Sequence, residues 1–352
     1  MAKRARQLPR VRIFSTDTDS GSVTVAEPVA DGYRVVAQIP VGNAPRGAVK
    51  FTSDGRGFVS NCGGDTISEI DVLTNRETSR ITVGPAPRGI GIIPGDRFAL
   101  VSSSGANFVS VVDLTRREEI DRVAVGRDPR HMAVRADGTA AYVAIWGSHY
   151  VARLDTLSLA NGRAGLETRG VREVARIEVG DGAHPYSLSI DRDGKRAYVA
   201  NTQAEYVTII DLDTDRVAGT VNVGSKGSRA VAFSADGRHA FVSVEDVSQV
   251  VAIDTTTLEV VAHWPVGPGP RGLAVDPSGR VMFTCSFSRS EPGATGGFRF
   301  TPNTLTVLDL ASVASVERDA PAYAEIAVGK GPCSVAVLDL RGLTALHALA
   351  GG

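Results

Sequence analysis

A Val-Gly pair recurs seven times along the chain, with its glycine at 42, 84, 126, 180, 224, 267 and 329. The intervals run from 42 to 62 residues, a period that belongs to repeat architectures. Each pair leads into a Pro- or Arg-containing turn and then a short apolar run, as in residues 47–51, 229–233 and 272–276. A tight turn follows: Asp54-Gly55, Asp137-Gly138, Asp193-Gly194, Asp236-Gly237 or Ser278-Gly279. Asp-Gly between apolar runs signals a hairpin, and a type I′ turn there would need positive φ at both central residues. A second strand follows the turn. A third ends on an aspartate at 71, 113, 155, 211, 254 or 309, and a fourth returns to Val-Gly. Four strands in about 43 residues is the period of a propeller blade.

The termini complete the count. Three strands are expected before Gly42, at 11–16, 22–27 and 33–41, and one after Gly329, at 333–340. Together they make one blade, and sharing it between the termini hides the edges an open sheet would expose. The expected fold class is therefore all-β: a seven-bladed β-propeller of four-stranded antiparallel blades. It forms a single domain over 11–340, with flexible tails at 1–10 and 341–352. Thirty-eight glycines and 17 prolines suit short strands and tight turns.

Residues Tyr198–Asn201, Tyr142–Ala144, Phe58–Asn61 and Val207–Asp211 resemble the YVTN family of β-propeller repeats, which is similar to seven-bladed lactonase-like propellers. The resemblance covers 11–340. It implies the fold; it implies no single activity, because the family mixes binding proteins, surface proteins and a few enzymes.

Charge and targeting signals narrow the function classes. Lys and Arg total 38 against 39 Asp and Glu, which argues against a generally basic nucleic-acid binder. The basic first ten residues lack the apolar core of a secretory signal, and no apolar run is long enough to span a membrane. Three cysteines, an odd and small number, fit a reducing compartment, so the expected location is the cytoplasm.

Function is sought where the repeat is broken. The channel-mouth position of the successive blades carries Arg46, Arg88, Arg130, Tyr186, Arg229, Arg271 and Cys333. Five converging guanidinium forks suit a carboxylate or phosphate, unless each is tied to an aspartate of its own or the next blade. A long insertion at 286–303, containing Arg289, Glu291, Phe298, Arg299 and Phe300, is expected over the same face as a pocket wall or as a solvated loop. A second, at 156–173, is expected on the opposite face as decoration.

His149 and Glu205 replace loop-capping Asp and Asn in adjacent blades, near His184 and His131. His149, His184 and Glu205 are candidate catalytic acid–base groups. His131, His149 and His184 are candidate ligands of a divalent metal cofactor. Cys62, Cys285 and Cys333 fall on neighbouring blades and could act as a thiolate group or as buried apolar residues. The expected partner is a small anionic or polar metabolite, bound at the mouth and processed by lyase, isomerase or hydrolase chemistry. The alternative is a non-catalytic propeller that binds a ligand or a protein.

Overall fold

The computed structural model describes residues 11–161, 170–287, 294–295, 298–312, 315–316, 319–341 and 343. Seven four-stranded antiparallel sheets are present. Their inner strands touch in cyclic order: Pro45–Phe51 meets Pro87–Ile92, and so on round to Pro270–Val275, which meets Pro332–Asp339, which meets Pro45–Phe51 again. The chain is a closed seven-bladed β-propeller.

Closure occurs in blade one. Its sheet order is Gly32–Pro40, Ser22–Val29, Val11–Asp17 and then Pro332–Asp339 from the other end of the chain. Register runs from Val11 opposite Asp339 to Thr16 opposite Ser334. Buried Asp17 accepts hydrogen bonds from the Ser15 hydroxyl at 2.6 Å and the Gly329 amide at 3.2 Å, which stitches the termini together. Burial pushes its carboxyl up to about 6 despite those bonds. The end of the domain lies slightly later than expected, because Leu343 is buried in the core of blades one and two, beside Gly55. The remaining residues of both expected tails lie outside the described residues, apart from Arg341, which pairs with Asp339.

The repeat spells an aromatic or large apolar residue in the second strand because that side chain fills the gap between blades. Phe14, Phe58, Leu100, Tyr142, Tyr198, Phe241 and Phe283 hold this position, and each is at most 1% exposed. Tyr142 also donates its hydroxyl proton to Asp215 at 2.9 Å, since a buried phenol needs a partner.

The hairpins correct one expectation. In the Asp-Gly turns only the glycine has positive φ, for example Gly138 at 71° and Gly237 at 73°. The connections are three-residue loops: a type I turn closed by a left-handed residue. The aspartate serves as acceptor for the amide two residues on, as Asp137 does for Thr139 at 3.0 Å.

Of the 286–303 insertion, Arg289, Glu291, Gly296 and Gly297 lie outside the described residues, as do the side chains of Phe298 and Arg299. The backbones of Ala294–Thr295 and Phe298–Arg299 pair as a small hairpin, and Phe300 is buried against Tyr323. The 156–173 insertion contains the short helix Leu157–Ala160, whose Leu159 is buried; residues 162–169 lie outside the description.

Candidate functional site

The turn before each inner strand holds a residue with positive φ: Ala44, Ala86, Asp128, His184, Gly227, Gly269 and Gly331. The next residue is proline in six blades and Ser228 in the seventh, and the one after it is the mouth residue. This shared geometry brings Arg46, Arg88, Tyr186, Arg229, Arg271 and Cys333 to one cavity of about 120 Å³ on the ring axis, with Arg130 beside it near the Tyr186 ring.

The arginines are not equivalent. Arg229 and Arg271 share a single carboxylate, Glu245; Arg271 Nε donates to it at 2.8 Å. Arg130 pairs with Asp128 at 2.6 Å, and its guanidinium lies 5.0 Å from the Trp146 ring. Among the described residues the Arg88 side chain has one hydrogen-bond partner, a neutral one, donating from Nε to the Ser104 hydroxyl at 3.1 Å. Arg46 has no ion-pair or hydrogen-bond partner among the described residues. Burial and the neighbouring Arg130 both press the Arg88 pKa below its ordinary value, a penalty that an anion would relieve. Tyr186 replaces arginine in blade five and takes up two of them: its ring lies 4.7 Å from the Arg229 guanidinium and 5.7 Å from that of Arg130.

A second ring surrounds the first and was not read from the sequence. The residue after each second strand holds an equivalent place: Cys62, Ser104, Trp146, Thr202, Glu245 and Phe287, with Thr18 in blade one, and in four blades it meets the mouth residue. Arg88 meets Ser104, Arg130 meets Trp146, Arg229 meets Glu245, and Arg271 lies 3.6 Å from the Phe287 ring. Glu245 is the one acid in this ring. Its signal was available: one residue past the end of a repeating strand, where six blades are uncharged.

Lys50 was also missed. Opposite the second-strand aromatic, the inner strand carries Gly91, Ala133, Ser189, Ala232, Ala274 and Ala336, but Lys50 in blade two. An extra residue between Arg46 and Lys50 breaks the register there and shifts the lysine into this position. Its side chain lines the cavity, exposed to the channel but enclosed by the propeller. Burial pushes its pKa down, and it has no carboxylate partner among the described residues.

The histidines divide into two places. His131 lies inside the cavity, 5.1 Å from the Tyr186 ring, where Gly47 leaves it room: a Cβ at Gly47 would stand 3.3 Å from the imidazole. Burial, followed by Arg88, Lys50, Arg130 and Arg46, drives its pKa down to about 3. His149 and His184 lie instead at the blade four–five junction, with ring centroids 4.3 Å apart and Trp146 4.2 Å from His184. His184 Nδ1 donates to the Trp146 carbonyl at 2.9 Å, which leaves Nε2 as the acceptor. His149 has the left-handed φ shared by Asp65, Asn107, Ser248 and Asn303, and its buried Nδ1 has no partner.

The three histidines therefore do not form the expected metal site. His131 follows the mouth residue into the channel while the other two sit on a loop lip, and no group of three metal-ligating side chains occurs among the described residues. Glu205 is exposed and makes no side-chain contact with either His149 or His184 among the described residues. The cysteines do not form a thiolate group: Cys285 and Cys333 are buried, and burial pushes the Cys285 thiol up to about 12 and raises that of Cys333.

Comparison with known proteins agrees with this architecture. Residues 161–283 match the cytochrome D1 heme domain family. A stretch of 97 residues is 27% identical to the uncharacterized protein YncE of Salmonella typhimurium, covering 28% of this chain and only 27% of that protein's length. The chain is a seven-bladed propeller similar to YncE and to gluconolactonase-like propellers. Among solved structures it superposes on the periplasmic gluconolactonase PpgL of Pseudomonas aeruginosa with a TM-score of 0.72, at 18% identity over 93% of this chain and 99% of that one. It superposes on the dihydro-heme d1 dehydrogenase NirN, in complex with DHE, with a TM-score of 0.62, at 13% identity over 96% and 77%. At these identities the likeness carries the fold and not the chemistry. Among the described residues no helix is long and apolar enough to cross a membrane.

Proposed function

We propose that the mouth binds a small anionic metabolite through its carboxylate or phosphate group. One observation supports this above the others: Arg46, Arg88, Arg229, Arg271 and Lys50 line one cavity, and among the described residues Glu245 is the one carboxylate paired with any of them. The anion lies on the Arg46, Arg88 and Lys50 side, where no carboxylate competes among the described residues. The gluconolactonase and heme d1 names of similar propellers support a small-molecule ligand over a protein or nucleic-acid partner. The unbridged cysteines support a reducing, cytoplasmic location as part of the same proposal.

The test is calorimetric titration of the full chain with inorganic phosphate and with citrate, at low and at moderate salt. Saturable binding that weakens with salt is expected, together with loss of about tenfold or more in Arg46→Met or Arg88→Met, since each charge-assisted bond contributes about 1.5–3 kcal/mol. No heat with either anion would turn the reading to the non-catalytic, protein-binding alternative.

A second reading rests on the aromatic lip made by Trp146, His149 and His184 beside Arg130, where the Trp146 and His149 rings offer separate faces inclined at 44° and 89° to that of His184. A planar ligand bearing carboxylates would stack there and reach the arginines. A shift of the hemin absorption band on mixing, lost in His184→Ala, tests it. His184, with Nε2 available as acceptor, is then the acid–base candidate for any turnover; Glu205 has no contact that gives it a part.

A further inference from the structure

Lys50 is an unusual amine. Only five lysines occur in the chain, at 3, 50, 195, 226 and 330. Lys195 is exposed on a hairpin, and Lys226 and Lys330 are exposed on the turns that enter two inner strands, whereas among the described residues Lys50 is the one lysine in the channel wall. An anion-binding wall needs no lysine at this depth, because the arginines already ring the mouth. The register break that seats Lys50 puts an ε-amine opposite Phe58, where every other blade has a residue with almost no side chain. Lys50 stands close enough to His131 to lower the imidazole's proton affinity, burial lowers that of Lys50 itself, and no carboxylate pairs with the ammonium among the described residues. An amine seated in a channel wall without a carboxylate partner gives up its proton more readily than a surface lysine, and the free amine is a nucleophile.

We propose that Lys50 condenses reversibly with the carbonyl group of a small oxo acid whose carboxylate is held by Arg46 and Arg88. This inference rests on the anion-binding reading of the mouth and names the ligand class within it. The amine nitrogen attacks the carbonyl carbon, and the carbonyl π electrons move to oxygen. One amine proton passes to that oxygen to give a carbinolamine. The carbon–oxygen bond then breaks, and the hydroxyl departs as water with the second amine proton. The product is an imine, and no oxidant or reductant takes part. Neutral His131 lies on the same wall to relay these protons. The ligand must be short, since the cavity is about 120 Å³, which favours a two- or three-carbon oxo acid over a sugar acid.

Borohydride trapping tests this. The full chain is incubated with glyoxylate at neutral pH, reduced with cyanoborohydride and mapped by peptide mass. The expected result is one carboxymethyl group on Lys50 before any appears on Lys195, Lys226 or Lys330, with tenfold slower labelling in Arg88→Met. Lys50→Arg, which keeps the charge, should remove the fast adduct. Three results would overturn the proposal: labelling of Lys50 no faster than that of the exposed lysines, Lys50 labelling that is unchanged in Arg88→Met, or equally fast labelling by a neutral aldehyde such as propanal. If phosphate binds as expected while Lys50 stays unlabelled, the imine alone fails. If phosphate does not bind, the anion-binding reading fails with it.

Discussion

The five arginines look alike in sequence and differ in what surrounds them, so substitution separates them. Arg88→Met removes a cation that carries no counter-charge. Anion affinity should fall about tenfold while the melting temperature holds or rises, because a buried, destabilised guanidinium is gone. Arg229→Met leaves Glu245 with one partner fewer, so stability should drop, by about 1–3 kcal/mol, with little change in affinity. Calorimetry of both variants with and without phosphate checks the pair; equal effects would contradict the division. His131 yields a pH prediction. Its folded pKa, about 3, lies below the unfolded value of 6.5, so the unfolded chain takes up the proton first. Its contribution to stability is complete above about pH 6.5 and declines as pH falls toward 3. Asp17, raised to about 6 from 3.8, acts in the opposite direction, stabilising as pH falls from 6 to 3.8, so the wild-type curve alone hides the effect. Denaturant melts of wild type against His131→Gln isolate it: relative to the variant, wild type should lose ground steadily below pH 6.5. A difference that does not change with pH would show that the imidazole is not desolvated.

At the scale of strands and turns, the mouth is set by two successive residues in each blade's topology: the residue that opens the inner strand and the residue that follows the second. The first was legible because the Pro-Arg turn repeats almost unchanged. The second was not, because Cys62, Ser104, Trp146, Thr202, Glu245 and Phe287 have no common chemistry; only the fold aligns them. Lys50 was hidden for a related reason. Counting back from the hairpin glycine places the mouth residue nine positions away in blade two and eight in blades four to seven. That extra residue is absorbed within the strand, which only strand register reveals. The three histidines were grouped by nearness in the repeat, but His131 lies within an inner strand and lines the channel, while His149 and His184 stand in the turns at the blade junction. The second ring gives its own prediction. Ser104→Glu would place a carboxylate beside Arg88, as Glu245 stands beside Arg229 and Arg271. It should abolish phosphate binding without lowering stability, measured by titration and thermal melt. Retained affinity would mean that the anion does not need Arg88.

For the whole molecule, the terminal strand covers the inner edge of blade one and closes the ring, and that was legible from the Val-Gly count together with the three strands before Gly42 and the one after Gly329. Deleting 333–352 removes the inner strand of blade one and exposes Val11–Asp17 as an edge. Insolubility or loss of cooperative unfolding is expected, and a truncated chain that melts like the full one would contradict the closure account. The ring also explains how a chain with 38 basic and 39 acidic residues can attract anions. Its acidic residues lie largely in turns, where they accept backbone amides, as Asp71, Asp113, Asp211 and Asp254 do. The axis collects the arginines instead, so net charge says little about the field at the mouth. The most direct measurement is a crystal of the full chain soaked in selenate, read by anomalous scattering. An ordered selenate within hydrogen-bond reach of Arg46 and Arg88 is the predicted result; a mouth without an anomalous peak, while selenate orders elsewhere on the surface, would contradict the account.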